Sequence, residues 1–264
     1  MTKIALDAGH GLNTSGKQTP DGVKEWTLND KVRDKVVKIL SEYDVTLINT
    51  DNNEGKTDET LSSRLSKYLE ADVDAFVSIH HNAYTGEWNN VTGIEVYVDR
   101  NATTKDTELA NLIYNRMVEY TSLKGRGVKQ ANYTVINQNS VPAVLCEGGF
   151  MDGTKDYKII TSRKGQEAYA KAIAEGLIEF LDLKKKQETN TSEPKTDGTF
   201  KVEIQITNLN IRKGPGTNYE KTGKFTGKGV FTIIDTKTGT GSKNGWGKLK
   251  SGAGWISLDY VTKM

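Results

Sequence analysis

One short polar stretch constrains the fold more than any other feature of this chain. Residues 184–199, KKKQETNTSEPKTDGT, contain no large apolar side chain, begin with three lysines and include Pro194 and Gly198. A segment of this composition cannot bury enough apolar surface to offset the entropy lost on ordering, and it is typical of a flexible tether. The sequence therefore predicts two domains, residues 1–183 and residues 200–264, joined by a linker at 184–199.

The first of these domains alternates between strand and helix patterns. Short apolar runs typical of buried strands occur at residues 3–9, 45–50, 75–80, 93–98 and 143–147. Between and after them, apolar residues recur at helical spacing within residues 28–40, 61–69, 109–117 and 170–181. This alternation predicts an α/β fold, with a mixed, mostly parallel sheet flanked by helices on both faces.

The second domain has a different pattern. It has short β-rich runs and no convincing helical period, and it holds 11 of the 26 glycines. These features are typical of a small all-β barrel. Residues 200–264 carry a net charge of +7, whereas the rest of the chain carries −5. Such a basic module suggests an anionic partner, although a solvated lysine-rich surface would give the same charge.

The composition also excludes several classes of protein. No run of 18 apolar residues is present, so we expect no membrane-spanning helix and no membrane partner. The apolar stretch near the N-terminus is too short for a signal peptide, so we expect synthesis in the cytoplasm without export by the usual route. Cys146 is the only cysteine, which rules out an intramolecular disulfide and a cysteine-rich zinc site. It should be a buried, inert thiol facing away from its neighbour Glu147.

Polar side chains follow three of the predicted strands. His10 follows the first strand, His80 and His81 end the third, and Glu147 ends a later one, while Glu25 begins the first helix. If these strands are neighbours, the side chains converge at one edge of the sheet. Two imidazoles and a carboxylate with an open fourth position form a usual catalytic zinc set, and a further carboxylate can accept a proton from water.

Each of these residues also has an ordinary structural interpretation. His10 could be a hydrogen-bonded surface group, and Glu25 could simply be a favourable charge at a helix N-terminus. Glu147 follows four apolar residues, and a carboxylate entering a core needs a partner. Spacing alone therefore predicts a metal site but does not decide its ligands.

The motifs together resemble a known enzyme family. DAGHG at 7–11, a glutamate about fifteen residues on, FVSIHHNA at 76–83 and CEGGFMD at 146–152 occur in the order seen in zinc-dependent N-acetylmuramoyl-L-alanine amidases of the autolysin, spore-wall and phage-lysin type. The resemblance covers about residues 1–182. It implies that the Zn²⁺ ligands are His10, Glu25 and His80 and that the catalytic carboxylate is Glu147. It also implies hydrolysis of the amide between the lactyl group of N-acetylmuramic acid and the L-alanine of the stem peptide.

His81 is not explained by this resemblance, because a common form of the motif has alanine there. Consecutive residues of a strand point to opposite faces, so His80 and His81 cannot readily reach one metal. His81 is then a surface residue, a group that supports a metal ligand, or a substrate contact, and we favour the first two roles.

The second domain resembles the bacterial Src-homology-3-like domains that bind cell walls. The resemblance rests on NLNIRKGPGTNYEKTGKFTGKG at 208–229 and GWGKLKSGAGWISLDYV at 245–261. Trp246, Trp255 and Tyr260 could be core residues or a binding platform, and we expect Trp255 to lie in the core.

These resemblances predict an endolysin-like amidase that acts on bacterial peptidoglycan. It would wait in the host cytoplasm, reach the cell wall after release, and have no nucleic-acid partner. The alternatives are a bacterial autolysin or spore-wall amidase with the same chemistry, a wall-binding protein whose enzyme-like domain is inactive, and a zinc peptidase that cuts the stem peptide.

Overall fold

The chain divides into two compact units, Met1–Glu188 and Thr189–Met264. The structure, a computed structural model, describes residues 1–186 and 199–264, so most of the expected linker, residues 187–198, lies outside the described residues. Within the described parts, no helix has both the length and the apolar character needed to cross a membrane.

The first unit alternates strands with helices, as the apolar pattern predicts. Its six strands are β1 (Thr2–Ala8), β2 (Val45–Asn49), β3 (Ala75–Asn82), β4 (Ile94–Val98), β5 (Gly125–Gln130) and β6 (Ala143–Phe150). Its five helices are α1 (Glu25–Leu40), α2 (Leu61–Glu70), α3 (Thr104–Thr121), α4 (Thr154–Ile160) and α5 (Arg163–Phe180). A single 3₁₀ turn, Thr134–Ile136, lies between β5 and β6.

The six strands form one mixed sheet in the order β2-β1-β3-β6-β4-β5. All neighbouring pairs are parallel except β4 with β6. This arrangement confirms the predicted α/β class. One strand and one α-helix of this unit were not predicted. Strand β5 contains Gly125 and Gly127 among charged and polar residues, and α4 spans only seven residues, too few to show a helical period.

Helices cover both faces of this sheet. Side chains of α1, α3 and α5, such as Leu28, Ile113 and Tyr169, form the larger core against one face. Tyr68 of α2 and Ile136 of the 3₁₀ turn form a smaller core against the other face. Each large side chain that is fully buried stabilises the fold by about 1.5–3 kcal/mol relative to an exposed one. The sheet is therefore a rigid support for the groups at its edges.

The first residues of the expected linker pack against this unit. The backbone N of Asp44 donates to the O of Lys184 at 3.0 Å, and the N of Lys186 donates to the O of Glu42 at 2.8 Å. Tyr43 and Lys185 form an isolated antiparallel bridge. Residues 184–186, the last described residues of this unit, are thus held beside the start of β2.

The second unit is entirely β apart from one 3₁₀ turn, Leu258–Tyr260. Its strands are β7 (Phe200–Ile204), β8 (Asn210–Arg212), β9 (Lys221–Phe225), β10 (Gly229–Lys237), β11 (Trp246–Leu249), β12 (Trp255–Ser257) and β13 (Thr262–Lys263). They form a sheet in the order β13-β7-β10-β11-β12-β8-β9. The all-β prediction is confirmed, but within residues 199–264 the strands β13 and β9 do not pair, so the sheet is open and not a closed barrel.

The three aromatic residues singled out in the sequence of this unit differ in their exposure to solvent. Trp246 and Trp255 are buried, which confirms the core role expected for Trp255, whereas Tyr260 is 59% exposed. Apolar side chains, including Val202, Ile233 and Ile256, form a core of the unit's own.

Candidate metal centre

Three parallel strands bring the candidate residues to one edge of the sheet. Strand β3 lies between β1 and β6, and all three end at the same side. In the register of β3 and β6, His80 lies opposite Glu147. Opposed residues on neighbouring strands project from the same face, so these two side chains share one side of the sheet.

His10, Glu25 and His80 come together at this edge. Nε2 of His10 lies 3.3 Å from Oε2 of Glu25, and Nδ1 of His80 lies 3.0 Å from Oε1 of the same carboxylate. One ligand atom from each residue lies within 4.8 Å of the other two. The two imidazole rings meet edge to face, with centroids 4.9 Å apart. These three residues form what we call the triad.

The surrounding chain holds Glu25 in place. The backbone N of Glu25, the first residue of α1, donates to the O of Lys17 at 3.0 Å. Its Oε1 accepts hydrogen bonds from the backbone N of His81 at 3.2 Å and from Nδ2 of Asn29 at 3.4 Å. Gly9 leaves the space that the triad needs, since a Cβ there would lie 2.0 Å from Cε1 of His80. Any larger residue at position 9 would displace a triad imidazole.

His10 depends on a buried arginine. Its backbone is left-handed, with φ of 68°, which is unfavourable for a residue with a side chain. Nη2 of Arg64 donates to the O of His10 at 2.7 Å, and Nη1 donates to the O of Ala8 and to Oδ1 of Asp7. The remaining donors bond the Oδ1 of Asp58 and the O of Glu59, so every N–H of this guanidinium is used. Arg64 therefore fixes the turn that directs His10 towards Glu25.

The protonation of the triad is set by burial and by its own charges. Burial lowers the pKa of His10 to about 4, so this imidazole is neutral. Burial would raise the pKa of Glu25, but the hydrogen bond and charge of His80 outweigh it and lower the pKa to about 2. Burial would lower the pKa of His80, but Glu25 raises it. Without an ion, Glu25 is thus charged and paired with His80.

Glu147 lines the same cleft. Its Oε2 is buried and has no hydrogen-bond partner in the described part of the chain. Burial raises its pKa to about 8. The cleft has a volume of about 550 Å³, and its lining includes His10, His80, Tyr133 and Glu147. Two imidazoles, one carboxylate and an open side facing this cleft suit a zinc ion, and Glu147 stands apart from those donors.

Comparison with known proteins identifies the family to which this chain belongs. Residues 4–179 match the family model described as N-acetylmuramoyl-L-alanine amidase. The chain belongs to the N-acetylmuramoyl-L-alanine amidase family. Residues 207–262 match a second model, described as a bacterial SH3 domain. The first unit is therefore called the amidase unit below, and the second the SH3 unit.

The relatives of the amidase unit include phage and bacterial proteins. The chain is 35% identical over 190 residues to an endolysin of Bacillus phage SPP1, covering 70% of this chain and 69% of the phage protein. It is 30% identical over 206 residues to a sporulation-specific N-acetylmuramoyl-L-alanine amidase of Bacillus subtilis, covering 77% of this chain and 74% of the relative. The catalytic domain of the amidase CwlV from Bacillus (Paenibacillus) polymyxa var. colistinus matches with a TM-score of 0.64 at 29% identity, over 70% of this chain and all of that domain.

The amidase unit also shows what His81 does. His81 is 2% exposed, so it is not a surface residue, and its ring lies edge to face with Tyr169 of α5. Its Nδ1 lies 2.7 Å from Oδ1 of Asn29, the residue that also bonds Glu25 and the O of Gly9. Burial lowers the pKa of His81 to about 4, so it is a neutral group. His81 therefore supports the triad from the opposite side of the strand.

Asn29 and Arg64 were missed by the sequence interpretation, although a signal for both was present. Arg64 follows Leu61 by three residues and precedes Tyr68 by four, and Asn29 precedes Val32 by three. Both polar residues therefore lie on apolar helical faces, where a polar side chain needs a buried partner.

Proposed function

We propose that His10, Glu25 and His80 hold a zinc ion and that Glu147 is the catalytic carboxylate of a peptidoglycan amidase. The bond cleaved is the amide between the lactyl group of N-acetylmuramic acid and the L-alanine of the stem peptide. The observation that carries the proposal is the buried, unpartnered Oε2 of Glu147, opposite His80 and in the cleft of the triad. When bound, zinc supplies Lewis-acid polarisation and makes water acidic enough to react near neutral pH.

The role of Glu147 follows from its position. Its Oε2 accepts a proton from the attacking water, whose oxygen forms a bond to the lactyl carbonyl carbon. As the carbon–nitrogen bond breaks, the same carboxyl gives its proton to the leaving amine of L-alanine. The products are a lactyl carboxylic acid on the glycan and a stem peptide with a free N-terminus. The triad and its supporting groups hold their positions throughout, which is the condition for such preorganised catalysis.

Digestion of purified bacterial walls tests this proposal. Mass analysis should find intact glycan strands and free stem peptides that begin with L-alanine. Exhaustive chelation should abolish this release, and added zinc should restore it. Full activity after chelation would exclude the metal role, and new N-termini within the stem peptide would instead identify a peptidase.

We also propose that the chain is organised as a catalytic domain at 1–183, a linker at 184–199 and a wall-binding domain at 200–264. Support comes from the separate core of the SH3 unit, its net charge of +7 and a groove of about 280 Å³ lined in part by Arg212, Trp246 and Tyr260. Binding to the wall would raise the effective concentration of substrate at the catalytic domain.

Sedimentation with purified walls tests the binding role. Residues 200–264, compared with the full chain, should sediment with the walls and should remain bound at moderate salt. A module that stays in the supernatant at low salt excludes a binding role. Binding that disappears at moderate salt would mean that general charge attraction, and not a shaped site, is responsible.

We propose that the biological role is that of an endolysin, made in the host cytoplasm and acting on the wall after release. The relative from Bacillus phage SPP1 that is named an endolysin supports this setting. The relative from Bacillus subtilis that is named a sporulation-specific amidase supports the alternative of a bacterial wall enzyme with the same chemistry. The neighbouring genes distinguish the two, since phage structural and membrane-pore genes accompany only the former.

A further inference from the structure

The charged groups that line the cleft are mostly paired with one another. Arg64 bonds both Asp7 and Asp58, and Glu59 pairs with Lys67 of α2. Apart from the triad, two titratable groups of the lining are left over: the carboxyl group of Glu147, which has its catalytic role, and the ammonium of Lys17. In the described part of the chain, Lys17 forms no ion pair and no side-chain hydrogen bond. Lys17 is exposed, so its ammonium is available to pair with a negative group on a substrate bound in this cleft.

The loop that carries Lys17 is held firmly against the triad. The O of Lys17 accepts the hydrogen bond from the backbone N of Glu25 at 3.0 Å. The next residue, Gln18, forms a bridge with Lys24, and the N of Val23 donates to Oγ1 of Thr19 at 2.8 Å. The charge of Lys17 also lies within electrostatic reach of Glu25 and Glu147. Lys17 is an exposed residue that lines the same cleft as His10, His80 and Glu147.

The proposed substrate has one anionic group close to the bond that is cut. In peptidoglycan, the residue after L-alanine is a D-glutamate joined through its γ-carboxyl, so its α-carboxyl is either a free carboxylate or an amide. We propose that Lys17 binds this α-carboxylate and makes the enzyme prefer stem peptides with a free D-glutamate over amidated ones. The inference rests on the proposed amidase function and names the part of the substrate that the cleft recognises. An ammonium is a compact point charge, which suits a single carboxylate at the end of a flexible side chain.

Two synthetic substrates separate this role from a general electrostatic effect. They are N-acetylmuramoyl-L-alanyl-γ-D-glutamyl-L-lysine and the same molecule with the α-carboxylate of D-glutamate converted to an amide. The parent enzyme should cleave the carboxylate form with a kcat/KM about five-fold higher, the upper range for a partly exposed ion pair. In Lys17→Met, the ratio between the two substrates should fall to about one.

Lys24→Met is the matched control. Lys24 lies in the same loop, but its Nζ donates to Oε1 of Gln18 at 2.6 Å and it is not part of the cleft lining. This variant removes the same charge from the same segment, so it should keep the parent preference for the carboxylate substrate. A change in the ratio for Lys17→Met alone therefore reports contact with the substrate.

The outcomes that overturn the inference are distinct from failure of the amidase proposal. An equal loss on both substrates in Lys17→Met would mean that the charge acts only through the catalytic groups. A parent enzyme that cleaves both substrates equally well would also overturn the inference while leaving amidase activity intact. A parent enzyme that releases no L-alanyl peptide from either substrate or from whole walls would instead contradict the proposed function.

Discussion

The two units of this chain bury very different kinds of side chain. In residues 1–186, seventeen polar or charged residues are buried, whereas in residues 199–264 only Ser257 is. The amidase unit keeps its buried charges in place with bonds such as those of Arg64 to Asp7 and to the O of His10. In the SH3 unit the ion pair of Lys213 with Glu220 lies at the surface.

This difference follows from what each unit is proposed to do. A metal set and a catalytic base need fixed charges in a site that water enters only partly, and each buried charge requires further partners. A module that binds a polymer from outside needs only a stable core and an accessible groove. The comparison predicts that changes to polar groups have large effects in the amidase unit and small effects in the SH3 unit.

The largest effect on catalysis without loss of the metal is expected from Glu147→Gln. The amide keeps the size of the side chain but cannot serve as a base, so the rate of wall hydrolysis should fall by about 10²–10⁴. Zinc content and the midpoint of urea unfolding should stay close to those of the parent. Loss of zinc in this variant would make Glu147 a ligand and would contradict the assignment of roles.

Arg64→Met tests the buried charge network. The change leaves Asp7 buried without its ion pair, and the free energy of unfolding should fall by about 3–5 kcal/mol. Urea denaturation of the amidase unit measures this loss, and zinc affinity should fall as well because the turn at His10 loses its support. A loss below about 1 kcal/mol would show that the network contributes no more than a surface ion pair.

The pH dependence of stability gives a second test of the same network. Burial would raise the pKa of Asp7, but the charge of Arg64 and the hydrogen bonds from Ser78 and Thr50 hold it below the ordinary value of 3.8. A carboxyl whose pKa is lower in the folded chain stabilises the fold above its unfolded pKa, and this stability is lost as the pH falls through the folded pKa. The parent should therefore be more stable than Asp7→Asn near neutral pH, and the difference should shrink on acidification below 3.8. A difference that does not change with pH would contradict this.

His80→Ala and His81→Ala form a matched pair on one strand. His80→Ala removes a proposed ligand, so it should lose both bound zinc and wall-clearing activity. His81→Ala should keep zinc but lower the free energy of unfolding by about 1–3 kcal/mol, because it leaves the buried Oδ1 of Asn29 without its partner. If His81→Ala loses zinc and His80→Ala retains it, the zinc ligand on β3 is His81 and not His80.

The smallest effect is expected in the SH3 unit. Lys213→Ala breaks the pair with Glu220, in which the two side chains are 63% and 77% exposed. Such a pair is well solvated, so the midpoint of unfolding should not change measurably. A clear loss of stability here would remove the contrast between the two units.

The sequence predicts some of these features well because they are local. The apolar runs that become β1, β3 and β6 are visible residue by residue, and so are the polar residues that follow them. The strand order, which brings His80 opposite Glu147, depends on long-range pairing that spacing alone does not contain. The support from Arg64 was missed for a different reason: its five hydrogen bonds reach several separate segments, which only the folded chain brings together. Strand β5 was missed because its glycines and charges lack the apolar pattern of a buried strand.

The position of the last described residues of the amidase unit has a consequence for engineering. Lys184 and Lys186 are hydrogen-bonded beside the start of β2, and Val45 there is in register with Thr2 at the beginning of β1. The candidate metal centre lies at the opposite ends of these parallel strands. A domain fused after residue 186 therefore begins at the ends of the strands that lie opposite to the cleft. Exchange of the C-terminal module at that junction should redirect the enzyme to other bacterial surfaces while leaving its chemistry unchanged.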